Sequence, residues 1–248
     1  MNCLLLPATH FSAHVSSIQA YIDDVRHIAH IHQVLGATVG DTLKIGQING
    51  NLGTAIIDSM TDNRIQLREV QLPSVPPAKL AVTVILALPR PKVLRRLIMD
   101  MTALGVRHII LINSYRTQKS YWQSPMLARL DEFVLEGLQQ GVDTVAPTIT
   151  LQKRFKPFVE DTLAQLITNY AIVAHPYSEL PLAQYLQSVG ITALPSVVCI
   201  GSEGGWIDYE IELLAAQGCQ AVTIGSRILR TEAAVNMILG QGLIHHSP

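Results

Sequence analysis

Five apolar runs in the later part of the chain lack the polar residue at every second position that a half-exposed strand carries. They are "AVTVILAL" (81–88), "HIILIN" (108–113), "YAIVAHP" (170–176), "VVCIG" (197–201) and "AVTIG" (221–225). A strand without that alternation is covered on both faces, the pattern of a parallel sheet between two layers of helices. The stretches 91–104, 124–138, 157–169, 206–217 and 231–243 are the predicted helices. The first opens on Pro91 and is followed by Gly105, a residue suited to the position just past a helix end. Lys92, Arg95 and Arg96 fall at i, i+3 and i+4 along it and share one face.

The first seventy residues read differently. "DTLKIGQINGNLGTAIIDSMTDNRIQLREV" predicts three strands, with "NGNLG" offering the positive-φ residues of a hairpin and "TDN" a second turn. That is a small β-rich module, barrel or sandwich. Pro73, Pro76 and Pro77 then remove backbone donors and stiffen the chain, which sets a boundary. The expected division is a β-module over 1–72, a proline-rich linker over 73–78 and an α/β domain over 79–248.

At 248 residues and 48% hydrophobic, the chain can bury a sizeable core. Its longest strongly apolar run, Leu80 to Leu88, is too short to cross a bilayer, and "MNCLLLPATH" has no basic segment of a secretory signal. Cys3, Cys199 and Cys219 are odd in number and widely spaced, which argues against a disulfide framework or a zinc site. Buried thiols in a reducing compartment are the expectation, and the cytoplasm the expected location. The net charge of −1 does not announce a nucleic-acid binder, but its distribution is uneven. Between 90 and 119, Arg90, Lys92, Arg95, Arg96, Arg107, Arg116 and Lys119 stand against Asp100 alone. Such a patch suits phosphate contact; a solvated helix face is the alternative.

Two of the apolar runs end alike, in "IGSEGGW" (200–206) and "IGSRILRTEAA" (224–234). In an open α/β sheet, ligands bind beyond the carboxyl ends of the strands, and glycine there lets a ligand approach the backbone. Two exits one helix apart are expected side by side, as one wall of a pocket, although tight strand-to-helix turns use glycine as well. No G-x-G-x-x-G follows an early strand and no G-x-x-x-x-G-K-[ST] occurs, so a phosphate loop is excluded, and Glu203 would repel phosphate. Thr231 can cap the following helix and Glu232 favours the positive end of its dipole. Arg227 and Arg230, beside an apolar strand end, call for a carboxylate or a phosphate.

These motifs, in this order and at this separation, resemble the C-terminal signature of the RsmE family, rRNA uridine-N3 methyltransferases of the SPOUT class. Its usual wording is close to I-G-P-E-G-G-[FL] and L-G-P-R-[IV]-L-R-T-E-T-A, and "AHPY" at 174–177 resembles the histidine-proline that ends an earlier strand of the family. The resemblance implies an α/β fold of SPOUT type, a trefoil-knotted parallel sheet with helices on both faces, behind a small N-terminal PUA-like β-barrel. It implies S-adenosylmethionine as cofactor, enclosed by Ala174 and His175, by Ile200, Gly201, Glu203, Gly204 and Gly205, and by Ile224, Gly225, Ile228, Leu229 and Arg230. It also implies a homodimer and small-subunit ribosomal RNA as partner, with no metal and no membrane. Ser202 and Ser226 stand where the family has proline, and Ala233 where it has threonine. Gln139, Gln140 and Asp143 occupy the stretch of its Glu-Gln-x-x-Arg, and Gln33 and Gly36 replace basic residues of its barrel.

Uridine N3 is a weak imide acid, so its methylation needs a proton removed or an anion stabilised. Arg230 is the expected anion-stabilising residue, with Glu232 or Glu203 as the carboxylate that takes the proton or orients the base. Arg90, Lys92, Arg95, Arg96, Arg116 and Lys119 are the expected contacts to RNA phosphate. Tyr115, Tyr121 and Trp122 are placed either to stack an unpaired base or to pack in a core or dimer. The alternatives are a non-catalytic RNA-binding or ribosome-assembly factor on the same fold, a SPOUT methyltransferase acting on a different RNA, and, more remotely, a nucleotide-dependent enzyme of small molecules.

Overall fold

The computed structural model describes residues 2–14, 17–190 and 194–245. The chain divides into two compact units, Met1–Ala78 with Leu135–Ala146, and Lys79–Val134 with Pro147–Pro248.

The first unit is built on β1 (Leu4–Leu6), β2 (Phe11–His14), β3 (Ser17–Ile22), β4 (Thr42–Gln47), β5 (Leu52–Met60) and β6 (Ile65–Ser74), in the order β1-β4-β5-β6-β3-β2. β1 and β4 run parallel and the other pairs antiparallel. Ile22, Ile45, Ile57 and Ile65 form its fully buried centre. Helix α1 (Val25–His30) starts where the Asp24 carboxylate accepts the N–H groups of Arg26 and His27, at 2.8 and 3.3 Å. The expected strands in residues 41–70 are β4, β5 and β6. The hairpin between β4 and β5 takes its positive φ at Asn49 (60°) and not at its glycines.

The stretch Leu135–Ala146 supplies this unit with polar ties. The Gln139 carbonyl accepts the N–H groups of Asn2 and Cys3, its side-chain amide donates to His27 Nε2 at 3.0 Å, and the Thr144 hydroxyl donates to the Gly50 carbonyl at 2.6 Å. Gln139 and Asp143, which replace charged residues of the resembled family, are both buried here.

The second unit holds a wholly parallel sheet in the order β12-β10-β11-β7-β8-β9. Along the chain come β7 (Leu80–Ala87), α2 (Pro91–Ala103), β8 (Val106–Ile112), α3 (Leu130–Gly141, of which the residues from Leu135 belong to the first unit), β9 (Thr148–Gln152) and α4 (Phe155–Phe158), which passes through a π turn into α5 (Ala164–Leu166). There follow β10 (Ala171–Ala174), α6 (Leu182–Val189), β11 (Val197–Ile200), α7 (Asp208–Ala216), β12 (Cys219–Val222) and α8 (Thr231–His245). Both sheet faces are buried, as the unalternating runs required. Ile85, Ile110, Val173 and Cys199 face Phe158, Val159, Leu163 and Leu214 of α4, its π turn and α7. Val84, Leu86, Ile109 and Ile172 point the other way and are no more exposed. On that side α2 packs against α8.

The structure corrects several helix and strand limits. Residues 125–129 form a 3₁₀ segment, and α3 begins only at Leu130. Strand β9 and helix α6 were not expected. β9 is an edge strand, mixing exposed and half-buried residues, so it lacks the apolar run that marked its neighbours. Cys3, Cys199 and Cys219 are buried and unpaired by disulfides. No described helix is long and apolar enough to cross a membrane, and no group of three or more His, Cys, Asp or Glu among the described residues is placed to hold a metal.

Burial pushes the imidazoles of His27, His108 and His175 below their ordinary value of 6.5. A base whose folded value is depressed leaves stability intact above about 6.5, because both states are then neutral. Below that the unfolded chain takes up protons first, and stability is lost as the pH falls. The thermal midpoint is therefore expected to drop between pH 7 and pH 5.5, with His27→Gln, which keeps an acceptor for Gln139, removing part of the drop. A midpoint that holds or rises on acidification contradicts this.

Candidate functional site

The carboxyl ends of β10, β11 and β12 lie in register, with Ala174 beside Ile200 on one side and Val222 on the other. The two glycine exits are therefore not adjacent. They flank β10, whose own exit, Ala174 to Tyr177, runs between them and is held there by the His175 N–H on the Val222 carbonyl at 2.9 Å. The three exits enclose a cavity of about 220 Å³.

Most of the residues expected around a cofactor line it. Ala174 and His175 come from the middle exit, and Ile200, Gly201, Glu203, Gly204 and Gly205 from the exit of β11. Ile224, Ile228 and Leu229 come from the exit of β12. Gly225 and Arg230 do not line it; Arg227 does. Arg230 sits one residue before α8, its carbonyl accepting the N–H of Ala234 at 3.0 Å, with an exposed side chain. Thr231 is the first residue of α8. Its buried hydroxyl crosses to the Gly201 carbonyl at 3.4 Å and joins α8 to the loop of β11.

That loop is compact because three of its five residues, Gly201, Gly204 and Gly205, carry no side chain. A Cβ on Gly201 would stand 2.9 Å from the Gly205 Cα, and Gly205 itself has a φ of +72°. Two polar atoms in the wall, Ser202 Oγ and Trp206 Nε1, are buried without a hydrogen-bond partner among the described residues. Buried donors are ordinarily satisfied, so each is suited to a ligand atom. Apolar edges come from Ile200, Ile224 and Leu229.

The expected catalytic carboxylates are both held by α2 and its entry. Glu203 lies 3.2 Å from Arg90 Nε and also accepts the Arg90 backbone N–H at 3.1 Å; Glu232 lies 3.6 Å from Arg96. Arg90, expected on phosphate, thus neutralises the acid of the cavity wall, and Arg96 pairs with Glu232, which does not line the cavity. Lys92, Arg95 and Lys119 are exposed. Arg116 lines the cavity and donates to the Gly204 carbonyl. Burial holds His175 below its usual value, against the opposing pull of Asp208 and with a smaller push from Arg116.

Of the aromatic candidates, Tyr115 is 79% exposed, whereas Trp122 is half-buried and donates to Asn113 Oδ1 at 2.8 Å. Three contributors escaped the sequence reading: Tyr177 and Trp206 in the wall, and Glu210 beneath it. Glu210 follows Ile207 by three, the spacing at which a glutamate returns to the N-cap N–H; the apolar Ile207 concealed that signal.

A family model described as an RNA methyltransferase domain matches residues 76–241. The ribosomal RNA small subunit methyltransferase E of Treponema pallidum is 31% identical over 83% of this chain and 77% of its own length. The protein of that name from Synechocystis is 29% identical over 86% and 69%. Among solved structures, a ribosomal RNA small subunit methyltransferase E from Neisseria gonorrhoeae bound to S-adenosyl methionine superposes with a TM-score of 0.71 at 20% identity, covering 98% and 96% of the two chains. A Legionella pneumophila putative methyltransferase in complex with the same cofactor gives 0.73 at 18% identity, again over 98% and 96%. At those identities the likeness is one of fold.

Proposed function

The chain belongs to the ribosomal RNA small subunit methyltransferase E family, and on that footing we propose that it transfers a methyl group from S-adenosylmethionine to N3 of a uridine in 16S ribosomal RNA. The observation that carries the reading is the pair of buried, unpartnered polar atoms, Ser202 Oγ and Trp206 Nε1, on residues that line a cavity walled by glycine-rich backbone. Neutral hydrogen-bonding groups between apolar edges suit a nucleoside, and the one acid in that wall, Glu203, is already matched by Arg90. Gly201, Gly204 and Gly205 would admit the nucleoside against the backbone, with Ile200, Ile224 and Leu229 along its faces.

When bound, S-adenosylmethionine supplies a methyl group on a sulfonium, and this chain's residues supply place and charge. Glu203, fixed by Arg90 at the cavity wall, is the assigned acceptor of the N3 proton, in preference to Glu232. Arg230 is the assigned stabiliser of charge on the uracil carbonyl, or of the neighbouring phosphate. The loops set the line of approach, so positioning contributes much of the rate.

The same reading takes the second unit as trefoil-knotted, with its exposed Lys92, Arg95 and Lys119 on RNA phosphate, the first as a PUA-like barrel, and the working form as a homodimer in the cytoplasm. The parallel sheet with exits around one cavity supports the first of these. An acceptor that is ribosomal RNA supports the last.

Purified protein given labelled S-adenosylmethionine and small-subunit RNA lacking the modification is expected to incorporate label as 3-methyluridine, identified by mass spectrometry. Arg230→Ala is expected to abolish incorporation. Loss in Arg227→Ala with normal transfer in Arg230→Ala moves the charge-stabilising role to Arg227. Calorimetry that finds no binding of the donor favours the assembly-factor reading; binding without transfer points to a different RNA.

A further inference from the structure

Glu210 is a buried carboxylate, 3% exposed, in the first turn of α7. Its Oε2 accepts the N–H of Ile207 at 3.0 Å, where the glycine loop of β11 ends. Its Oε1 accepts the N–H of Tyr115 at 2.7 Å, in the loop that follows β8. One side chain thus joins two loops that are remote in sequence. The residue after Tyr115 is Arg116. Its side-chain carbons lie 3.0 and 3.1 Å from where a Gly204 Cβ would stand, its guanidinium donates to the Gly204 carbonyl, and it lines the cavity. Arg90 and Arg96 are each matched by a carboxylate, whereas Arg116 has no acidic partner among the described residues.

We propose that Glu210 is a positioning residue which fixes Arg116 in the cavity wall as the receptor for the carboxylate at the methionine end of the methyl donor. The inference rests on the donor reading of this cavity. A guanidinium has five N–H donors, so the bond to Gly204 leaves others for a carboxylate oxygen. Fixing its backbone beforehand lowers the ordering cost of binding. Both arginines of the wall are exposed, but Arg227, on the exit of β12, has no side-chain hydrogen bond among the described residues and starts unfixed. A glutamine at 210 keeps the volume of the glutamate but has a single acceptor oxygen. Its amide would face one of the two N–H groups, so one loop is released.

The test is calorimetry with two ligands sharing the nucleoside and the thioether. S-adenosylhomocysteine carries the carboxylate; 5′-methylthioadenosine lacks it. Arg116→Ala and Glu210→Gln are each expected to weaken S-adenosylhomocysteine by about tenfold or more, as loss of a charge-assisted contact does. Binding of 5′-methylthioadenosine is expected to stay within about twofold, and the double variant to bind no worse than the weaker single one, since both changes remove the same contact. Equal losses for the two ligands, unchanged S-adenosylhomocysteine binding in Glu210→Gln, or losses that multiply in the double variant overturn the proposal. If Glu210→Gln does not fold, Arg116→Ala decides alone, and an equal loss for both ligands or none overturns it. Wild-type protein that binds neither ligand sinks the donor reading, and the inference with it, whereas wild-type binding with the wrong variant pattern sinks the inference alone.

Discussion

Gly201→Ala is expected to weaken S-adenosylmethionine binding and to cost about a hundredfold or more in the rate of methyl transfer while the protein still folds. The added Cβ would stand 2.9 Å from the Gly205 Cα, 3.1 Å from its carbonyl carbon and 3.2 Å from the Trp206 nitrogen. All three are backbone atoms, so no side-chain rotation relieves the contact, and the loop must open. Opening it moves the wall that contains Ser202 and Trp206 and strains the Thr231 bond to the Gly201 carbonyl. Misplacement of a site by about 1 Å is enough for a loss of that size. Calorimetry with S-adenosylmethionine and the thermal midpoint, measured together, separate a damaged loop from a damaged fold. An alanine variant that binds like the parent removes this loop from the donor site.

The largest expected effect on stability lies in the first unit. A Cβ on Gly53 would stand 1.8 Å from the Gln71 carbonyl oxygen and 2.9 Å from the Leu72 Cα. Gly53 sits on β5 where its register with β6 shifts between Leu52 and Thr54, and the partner strand crosses directly over it. Gly53→Ala is therefore expected to destabilise by about 3–5 kcal/mol, beyond ordinary overpacking because backbone must move. Against total stabilities of about 5–15 kcal/mol that is a large share. Gly36→Ala is the control: its φ is +61° with nothing within 4 Å, so only the left-handed backbone is penalised, by about 1–2 kcal/mol. Urea denaturation of the two variants should rank them in that order, and similar midpoints would contradict the steric account.

The hairpin that holds Gly53 also shows where sequence reading succeeds and stops. "NGNLG" announces a hairpin, and one is there, but the chain turns at Asn49, and Gly53 answers to a strand that arrives some twenty residues later. Strands β7, β8, β10, β11 and β12 were legible because burial on both faces leaves an unbroken apolar run. β9 was not, because an edge strand keeps polar positions. The glycine exits were legible as a pair, yet their order in space was not: β10 lies between β11 and β12, and local sequence says nothing of which strand is inserted where. Charge was the least legible. Arg90 and Arg96 read as a patch with their helix neighbours, while their partners Glu203 and Glu232 are more than a hundred residues away. Glu210 lies within the predicted helix 206–217, but its role depends on Tyr115, brought to it by the sheet alone.

The stretch Leu135–Ala146 closes the first unit with residues encoded after more than fifty positions of the second. Neither unit is thus a single uninterrupted length of gene. A break in the proline-rich segment would strip the N-terminal part of Gln139, and with it the acceptor for Asn2 and Cys3 and the donor to His27. Recombination at one point can neither deliver this module to another enzyme nor delete it cleanly. Whatever the N-terminal unit contributes is tied to a stretch of chain that also encodes part of the second unit.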